Sequence, residues 1–113
     1  MTDIFMHPVP KGRPRVVDGK AYTPKETKRA ERDLAQLYRL QAECRPDWNG
    51  YVSVKVDVHT PSGKGDLDNY VKLMLDALNG IAWKDDRSVV EIMARRFFDS
   101  PEGYRIEVSY VDR

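Results

Sequence analysis

The sequence predicts a single α+β (mixed α/β) domain over residues 1–113, ordered β-(hairpin)-α-β-α-β-β, with two helices packed on one mixed sheet. Three observations predict it. Val52, Val54, Val56 and Val58 alternate with Ser53, Lys55, Asp57 and His59, the two-residue period of a strand buried on one face. Between residues 67 and 78 the apolar positions are instead Leu67, Val71, Met74, Leu75 and Leu78, the period of a helix lying on a core. Leu, Ile, Val and Phe supply 26 of 113 residues, enough for one core, and chains divide into several domains only at greater length.

Each element has a local cause. Ile4-Phe5-Met6 reads as a first strand, after which Pro8, Pro10, Gly12 and Pro14 enforce an extended loop, because proline donates no backbone hydrogen bond. Val16-Val17 and Ala21-Tyr22 flank Asp18-Gly19, a favoured two-residue hairpin turn. Thr23-Pro24-Lys25-Glu26 is a capping box with proline at the first helical position. The helix it opens runs from Pro24 to about Cys44, stops before Pro46, and offers a narrow stripe of Ala30, Leu34, Leu37, Tyr38 and Leu40. A strand over 51–60, a turn over 61–65, and the second helix from Leu67 to Leu78 follow, with Gly80 as its C-terminal cap. Two more strands follow: in the first Val90, Ile92, Ala94 and Phe98 share the apolar face, and in the second Tyr104, Ile106, Val108 and Tyr110 do. The loop Asp99-Ser100-Pro101-Glu102-Gly103 predicts that these two pair as an antiparallel hairpin.

Net charge is +1, which conceals an asymmetry. Lys11 to Arg32 holds eight cations and three anions; Asp66 to Asp86 holds five aspartates and two lysines. A surface that grips a polyanion beside a carboxylate cluster suits phosphodiester chemistry, while two solvated faces explain the same charges. Lys25, Lys28, Arg29 and Arg32 crowd the first half of a helix, where the dipole disfavours cations, so helix stability does not account for them. No apolar stretch approaches the ~18 residues of a membrane span, and the N-terminus lacks the apolar centre of a signal peptide, which predicts a cytoplasmic protein. A single cysteine, Cys44, excludes an internal disulfide and a cysteine-rich zinc site.

The segment that carries chemistry is Gly65-Asp66-Leu67-Asp68-Asn69-Tyr70-Val71-Lys72, followed by Asp76 and by Trp83-Lys84-Asp85-Asp86. With residues 66–68 extended, Asp66 and Asp68 point to one side and Leu67 to the core. Two such carboxylates repel unless a cation lies between them, and an oxygen-only set suits Mg²⁺ or Mn²⁺. Lys72 stands four residues past Asp68 on the same helical face, within reach of a phosphate. A helix cap and an exposed ion pair are the plain alternative, although capping requires one aspartate and not two.

This set resembles the RusA family of Holliday-junction resolvases over most of the chain. The resemblance rests on Pro10-Lys11-Gly12-Arg13-Pro14-Arg15, Ala21-Tyr22-Thr23-Pro24, Asp66-Leu67-Asp68-Asn69 with Lys72, Asp76-Ala77-Leu78, and Trp83-Lys84-Asp85-Asp86. It implies a Mg²⁺-dependent endonuclease of bacterial or phage recombination and repair, acting as a homodimer that nicks a four-way junction symmetrically. Mn²⁺ is an expected substitute, with one or two ions per site. By resemblance Asp66, Asp68 and Asp86 are the metal-binding carboxylates, Asp85 is an additional candidate ligand, and Lys72 is the catalytic cation. DNA contacts are expected from Lys11, Arg13, Arg15, Lys20, Lys25, Lys28, Arg29, Arg32 and Lys64, with Tyr22 a candidate for stacking on an unpaired base. Two other functions fit the residues: a branched-DNA-binding module without activity, and a flap or single-strand nuclease of the same chemistry.

A helix of about twelve residues is roughly 18 Å long, with Asp66 and Asp68 at its start and Asp86 past its far end. Either residues 79–84 carry the chain back along the helix, or Asp86 reaches the Asp66/Asp68 pair of a two-fold-related copy. Because Gly80 turns the chain and Ile81 and Trp83 are suited to burial, the second arrangement is the expectation. His7 and His59 stand alone, Gly63-Lys64-Gly65 lacks the context of a nucleotide-binding loop, and Trp48 and Cys44 are read as buried or interface apolar residues.

Overall fold

In the computed structural model, which describes residues 1–12, 15–22, 24–41, 49–62 and 65–111 without the side chains of Arg15, Val17 and Tyr22, nine elements follow one another. They are β1 (Thr2–Ile4), β2 (Arg15–Val17), β3 (Lys20–Tyr22), α1 (Lys25–Gln41), β4 (Tyr51–His59), α2 (Leu67–Leu78), a 3-10 turn (Asp86–Ser88), β5 (Val89–Phe97) and β6 (Gly103–Val111). β1, β6, β4 and β5 form one sheet in that order, and β2 with β3 forms the separate hairpin that Asp18-Gly19 predicts, both turn residues having positive φ.

β4 owes its central place to its valines. Val52, Val54, Val56 and Val58 are buried on the face that the helices cover, while Ser53, Lys55, Asp57 and His59 face away. On that outer face charges are laddered across strands: Arg95 donates two hydrogen bonds to Asp57, and Arg105 two to Asp3. α2 packs on β4 and β5, and α1 packs beside α2 and against β1. Tyr70, Leu73, Met74 and Leu78 enter the core from α2, and Ala30, Leu34 and Tyr38 from α1.

The expected β5–β6 hairpin does not form. α2 returns the chain to the start of β4, so β5 begins beside Val52 and runs parallel to β4 along one edge. Residues 98–102 then cross the end of β4, and β6 pairs antiparallel along its other edge. β4 therefore separates the two strands, and residues 51–59, 67–78 and 89–97 make a β-α-β unit. As an edge strand, β5 leaves Val90, Ile92 and Phe98 exposed rather than in the apolar face expected of them. β1 lies two residues earlier than expected, pairing Ile4 with Tyr104, and Phe5 is exposed. Leu40 is 82% exposed because it falls off the Ala30–Leu34–Tyr38 line, and buried Thr27 continues that line instead, its hydroxyl accepting the Gly12 N–H at 3.1 Å. Thr23 of the capping box, Cys44 and Trp48 lie outside the described residues. No helix among those described is long and apolar enough to cross a membrane.

Candidate active site

Asp66 and Asp68 lie beyond the carboxyl ends of the parallel pair β4 and β5, where parallel sheets commonly place their sites. Asp66 is the N-cap of α2 in extended conformation (φ −94°, ψ 151°), yet its side chain makes no capping hydrogen bond. Its carbonyl oxygen accepts the first bonds of the helix, from the N–H of Asn69 at 3.1 Å and of Tyr70 at 3.4 Å, which leaves the carboxylate uncommitted to the cap. Both carboxylates are exposed, and Asp68 Oδ1 accepts the Asn69 N–H at 3.0 Å. Lys72, also exposed, stands one turn further on; with Asp68 it rims a shallow hollow floored by Leu67, Val71, Leu75 and Ala94. Before Asp66 the chain turns at Gly65 (φ 84°), where a Cβ would come within 3.1 Å of Pro10.

The motif is held from the N-terminal side by Lys11. Its backbone N–H bonds the Asn69 carbonyl at 2.9 Å, and its ammonium bonds Glu31 of α1 at 2.7 Å and Asp76 of α2 at 3.0 Å. Burial of the ammonium works against its charge, but the two carboxylates outweigh that and raise the Lys11 pKa. The cation expected to face DNA is thus engaged inside the protein, joining both helices. A second hold comes from β5, where Arg96 donates to the Gly65 carbonyl at 2.6 Å and to Thr60 Oγ1 at 3.0 Å. Arg96 belongs to no motif in the sequence; its one signal there is that it is the only charge in the Val90–Ile92–Ala94–Phe98 row.

Asp85 and Asp86 stand at the opposite end of the β-α-β unit. After α2 the chain curls tightly: Ile81 and Ala82 N–H groups bond the Leu78 carbonyl, and the Gly80 N–H bonds the Trp83 carbonyl. Trp83 is buried, and its indole N–H donates to Asp86 Oδ1 at 3.0 Å. Asp85 accepts the Arg87 backbone N–H and two bonds from its guanidinium, which hold its pKa below the usual carboxylate range. The nine-residue length of β5 separates this end from Asp66, roughly 25 Å at the strand rise. Residues 79–83 do not run back along the helix, and among the described residues no three His, Cys, Asp or Glu side chains could together hold a metal ion. In donor chemistry Asp66 and Asp68 fit a hard divalent cation, but one chain supplies them without Asp86.

Of the expected DNA contacts, Lys20, Lys25, Lys28, Arg29 and Arg32 are exposed and have no ion-pair partner among the described residues. Arg13 and Lys64 lie outside those residues, as do the side chains of Arg15 and Tyr22. His7 and His59 are paired with Glu102 and Asp99 on the sheet's far side.

Residues 6–109 match the family model for the endodeoxyribonuclease RusA. A protein of Bacillus subtilis (strain 168), the uncharacterized protein YqaN, is 30% identical over an alignment of 133 positions covering 93% of this chain and 90% of that one. With the Asp66-Leu67-Asp68-Asn69 turn, Lys72 and the second acidic pair all inside the matched span, the chain belongs to the RusA endodeoxyribonuclease family.

Proposed function

We propose that this chain is a Mg²⁺-dependent, structure-specific endonuclease that resolves four-way DNA junctions as a homodimer, cutting by phosphodiester hydrolysis at two symmetric sites. Each site takes Asp66 and Asp68 from one copy and Asp86 from its partner, with Asp85 beside it. The observation that carries this reading is the placement of two acidic groups at opposite ends of one β-α-β unit, neither of them part of a cluster of three among the described residues. The free edge of β5 supports it further. Val90, Ile92 and Met93 are 37%, 46% and 53% exposed there, and an antiparallel pairing of β5 with its copy would bring the start of one strand to the end of the other. Asp86 of each copy would then approach Asp66 and Asp68 of the other, twice per dimer.

When bound, a hard divalent cation supplies phosphate neutralisation and a lowered water pKa. The protein's own part is to orient and to bind. Asp66 and Asp68, fixed on the first turn of α2, set the direction from which the phosphate is approached. The Lys72 ammonium lies on the same helical face and stabilises the charge that develops on the departing 3′ oxygen. Lys20, Lys25, Lys28, Arg29 and Arg32 hold the flanking phosphates, making binding steeply salt-dependent.

The test is complementation. With labelled four-way junction and Mg²⁺, Asp68→Asn and Asp86→Asn are each expected to abolish cleavage and retain binding. Mixed and allowed to exchange subunits, they are expected to recover one intact centre per mixed dimer, seen as single nicks. Absence of any recovery, with mixed dimers demonstrably present, would rule out a shared site; a wild-type protein that binds junctions and cuts none would be a binding module. Preferential cutting of flaps or single strands would assign the same chemistry to another substrate.

A further inference from the structure

We propose that Arg96 is a positioning residue for the Asp66/Asp68 pair, acting through the backbone of Gly65. The inference rests on the reading of those aspartates as metal ligands. Along β5 the register places Ile92 beside Val54, Ala94 beside Val56 and Arg96 beside Val58, so a guanidinium occupies the end of an otherwise apolar row. A charge on the covered face of a sheet is costly unless every hydrogen bond it makes is matched, and here the matching is extensive. Nε donates to the hydroxyl of Thr60, itself 4% exposed and tied to the Phe97 carbonyl by its own N–H at 2.8 Å. Nη1 donates to the Gly65 carbonyl at 2.6 Å. The guanidinium carbon also lies over two rings, 4.9 Å from the centre of Tyr70 and 4.7 Å from that of Phe98.

These contacts lie on both sides of the turn that matters. Thr60 follows the last residue of β4, Gly65 immediately precedes Asp66, and Tyr70 is one turn into α2. Arg96 therefore joins the strand before the acidic turn to the helix after it, by way of the turn's own backbone. Gly65 sits at positive φ and, lacking a Cβ, is free to leave that conformation, and the peptide after it carries Asp66. Fixing the Gly65 carbonyl removes that freedom and sets the relative direction of the two carboxylates. Arginine meets the requirement because its planar fork donates along two fixed directions while its flat face rests on aromatic rings; a lysine ammonium has donors but neither the fork nor the flat face.

The test is Arg96→Lys, with Thr60→Val as a milder variant that removes one acceptor only. Mn²⁺ uptake in the presence of a four-way junction is followed by electron paramagnetic resonance, beside cleavage as a function of Mn²⁺, junction binding in EDTA, and thermal melting. Arg96→Lys is expected to raise the Mn²⁺ concentration for half-saturation about tenfold, as loss of outer-shell support does elsewhere. Cleavage at saturating Mn²⁺ should return to within a few-fold of wild type, and binding in EDTA should be unchanged. Thr60→Val should shift uptake in the same direction by a smaller factor. Uptake equal to wild type in both variants would overturn the proposal, as would loss of melting temperature, binding and uptake together, which marks a purely structural residue. If the wild-type protein itself takes up no Mn²⁺, the metal reading falls and this inference with it.

Discussion

Replacing Lys11 by Met separates two roles that the same cation could play. The substitution keeps the aliphatic stem and the backbone bond to Asn69 but removes the ammonium that joins Glu31 to Asp76. Its side chain is 20% exposed and those of Glu31 and Asp76 are 24% and 33% exposed, so the pairs are partly desolvated but not fully enclosed. Two charge-assisted hydrogen bonds of about 1.5 kcal/mol each, with some screening, give a loss of roughly 2–3 kcal/mol, to which repulsion between the stranded carboxylates adds. For a domain of this size that corresponds to a fall in Tm of about 8–12 °C. The pH dependence has a definite sign. Folding raises the Lys11 pKa, so its contribution is complete below the unfolded value of about 10.4 and is lost as pH climbs through the folded value. Urea melts of both proteins at pH 7, 9 and 11 should therefore show an equal gap at the first two and a smaller one at the third. Because the pairs are half-buried, the gap should survive 0.5 M NaCl, and junction binding should keep its salt slope. A Lys11→Met protein as stable as wild type, with a salt slope reduced by about one, would show that the ammonium serves DNA and not the two helices.

Three more outcomes follow from named groups. Lys28→Gln, Arg29→Gln and Arg32→Gln should each lower the slope of log Kd against log salt by up to about 0.9 without altering Tm, measured by fluorescence anisotropy of a labelled junction. Gly103→Ala should destabilise by several kcal/mol or prevent folding, since its Cβ would collide with the Ile4 carbonyl oxygen where β1 joins β6; a melting curve like wild type would refute that geometry. Ile92→Lys on the free edge of β5 should leave the monomer folded and abolish both dimers and cleavage, read by light scattering and junction assay; a dimer that persists would move the interface elsewhere.

How much of this was legible in the sequence depends on the range of the forces involved. α2 is found over Leu67–Leu78, as its apolar spacing predicts, because the stripe, the extended Asp66 and the turn at Gly80 are all local. β4 was equally plain, since alternation reports burial on one face directly. The pairing of β5 departs from the expectation because a five-residue loop suits a hairpin, and nothing within residues 89–111 reveals that β4 lies between the strands. The site divides in the same way. Asp66, Asp68 and Lys72, the residues proposed for the site, stand out in the sequence because their spacing is a short-range fact. The engagement of Lys11 by residues 20 and 65 positions away, and that of Arg96 by Gly65 and Thr60, arise only once the sheet is assembled. Arg96 did leave a trace, as a charge in an apolar row, and local disagreements of that kind are where functional pressure is expected to show.

The topology also weighs the two ways of gathering the acidic groups. To bring Asp86 to Asp66 within one chain, the protein would have to give up most of the 25 Å that β5 sets between them. That means stripping a nine-residue strand from β4 and pulling Trp83 from the core, where it is 1% exposed. Each lost ladder bond and the exposed indole would cost about 1 kcal/mol or more, and together they exceed the marginal stability of a domain this size. A second copy requires no such rearrangement. In the proposed assembly it would cover apolar side chains that are exposed on β5, pair an edge that no described strand occupies, and bring both acidic ends within reach by symmetry alone. On this comparison the proposed two-fold assembly and the proposed metal centre are one requirement: an edge that stays unpaired leaves Asp66 and Asp68 without their third carboxylate.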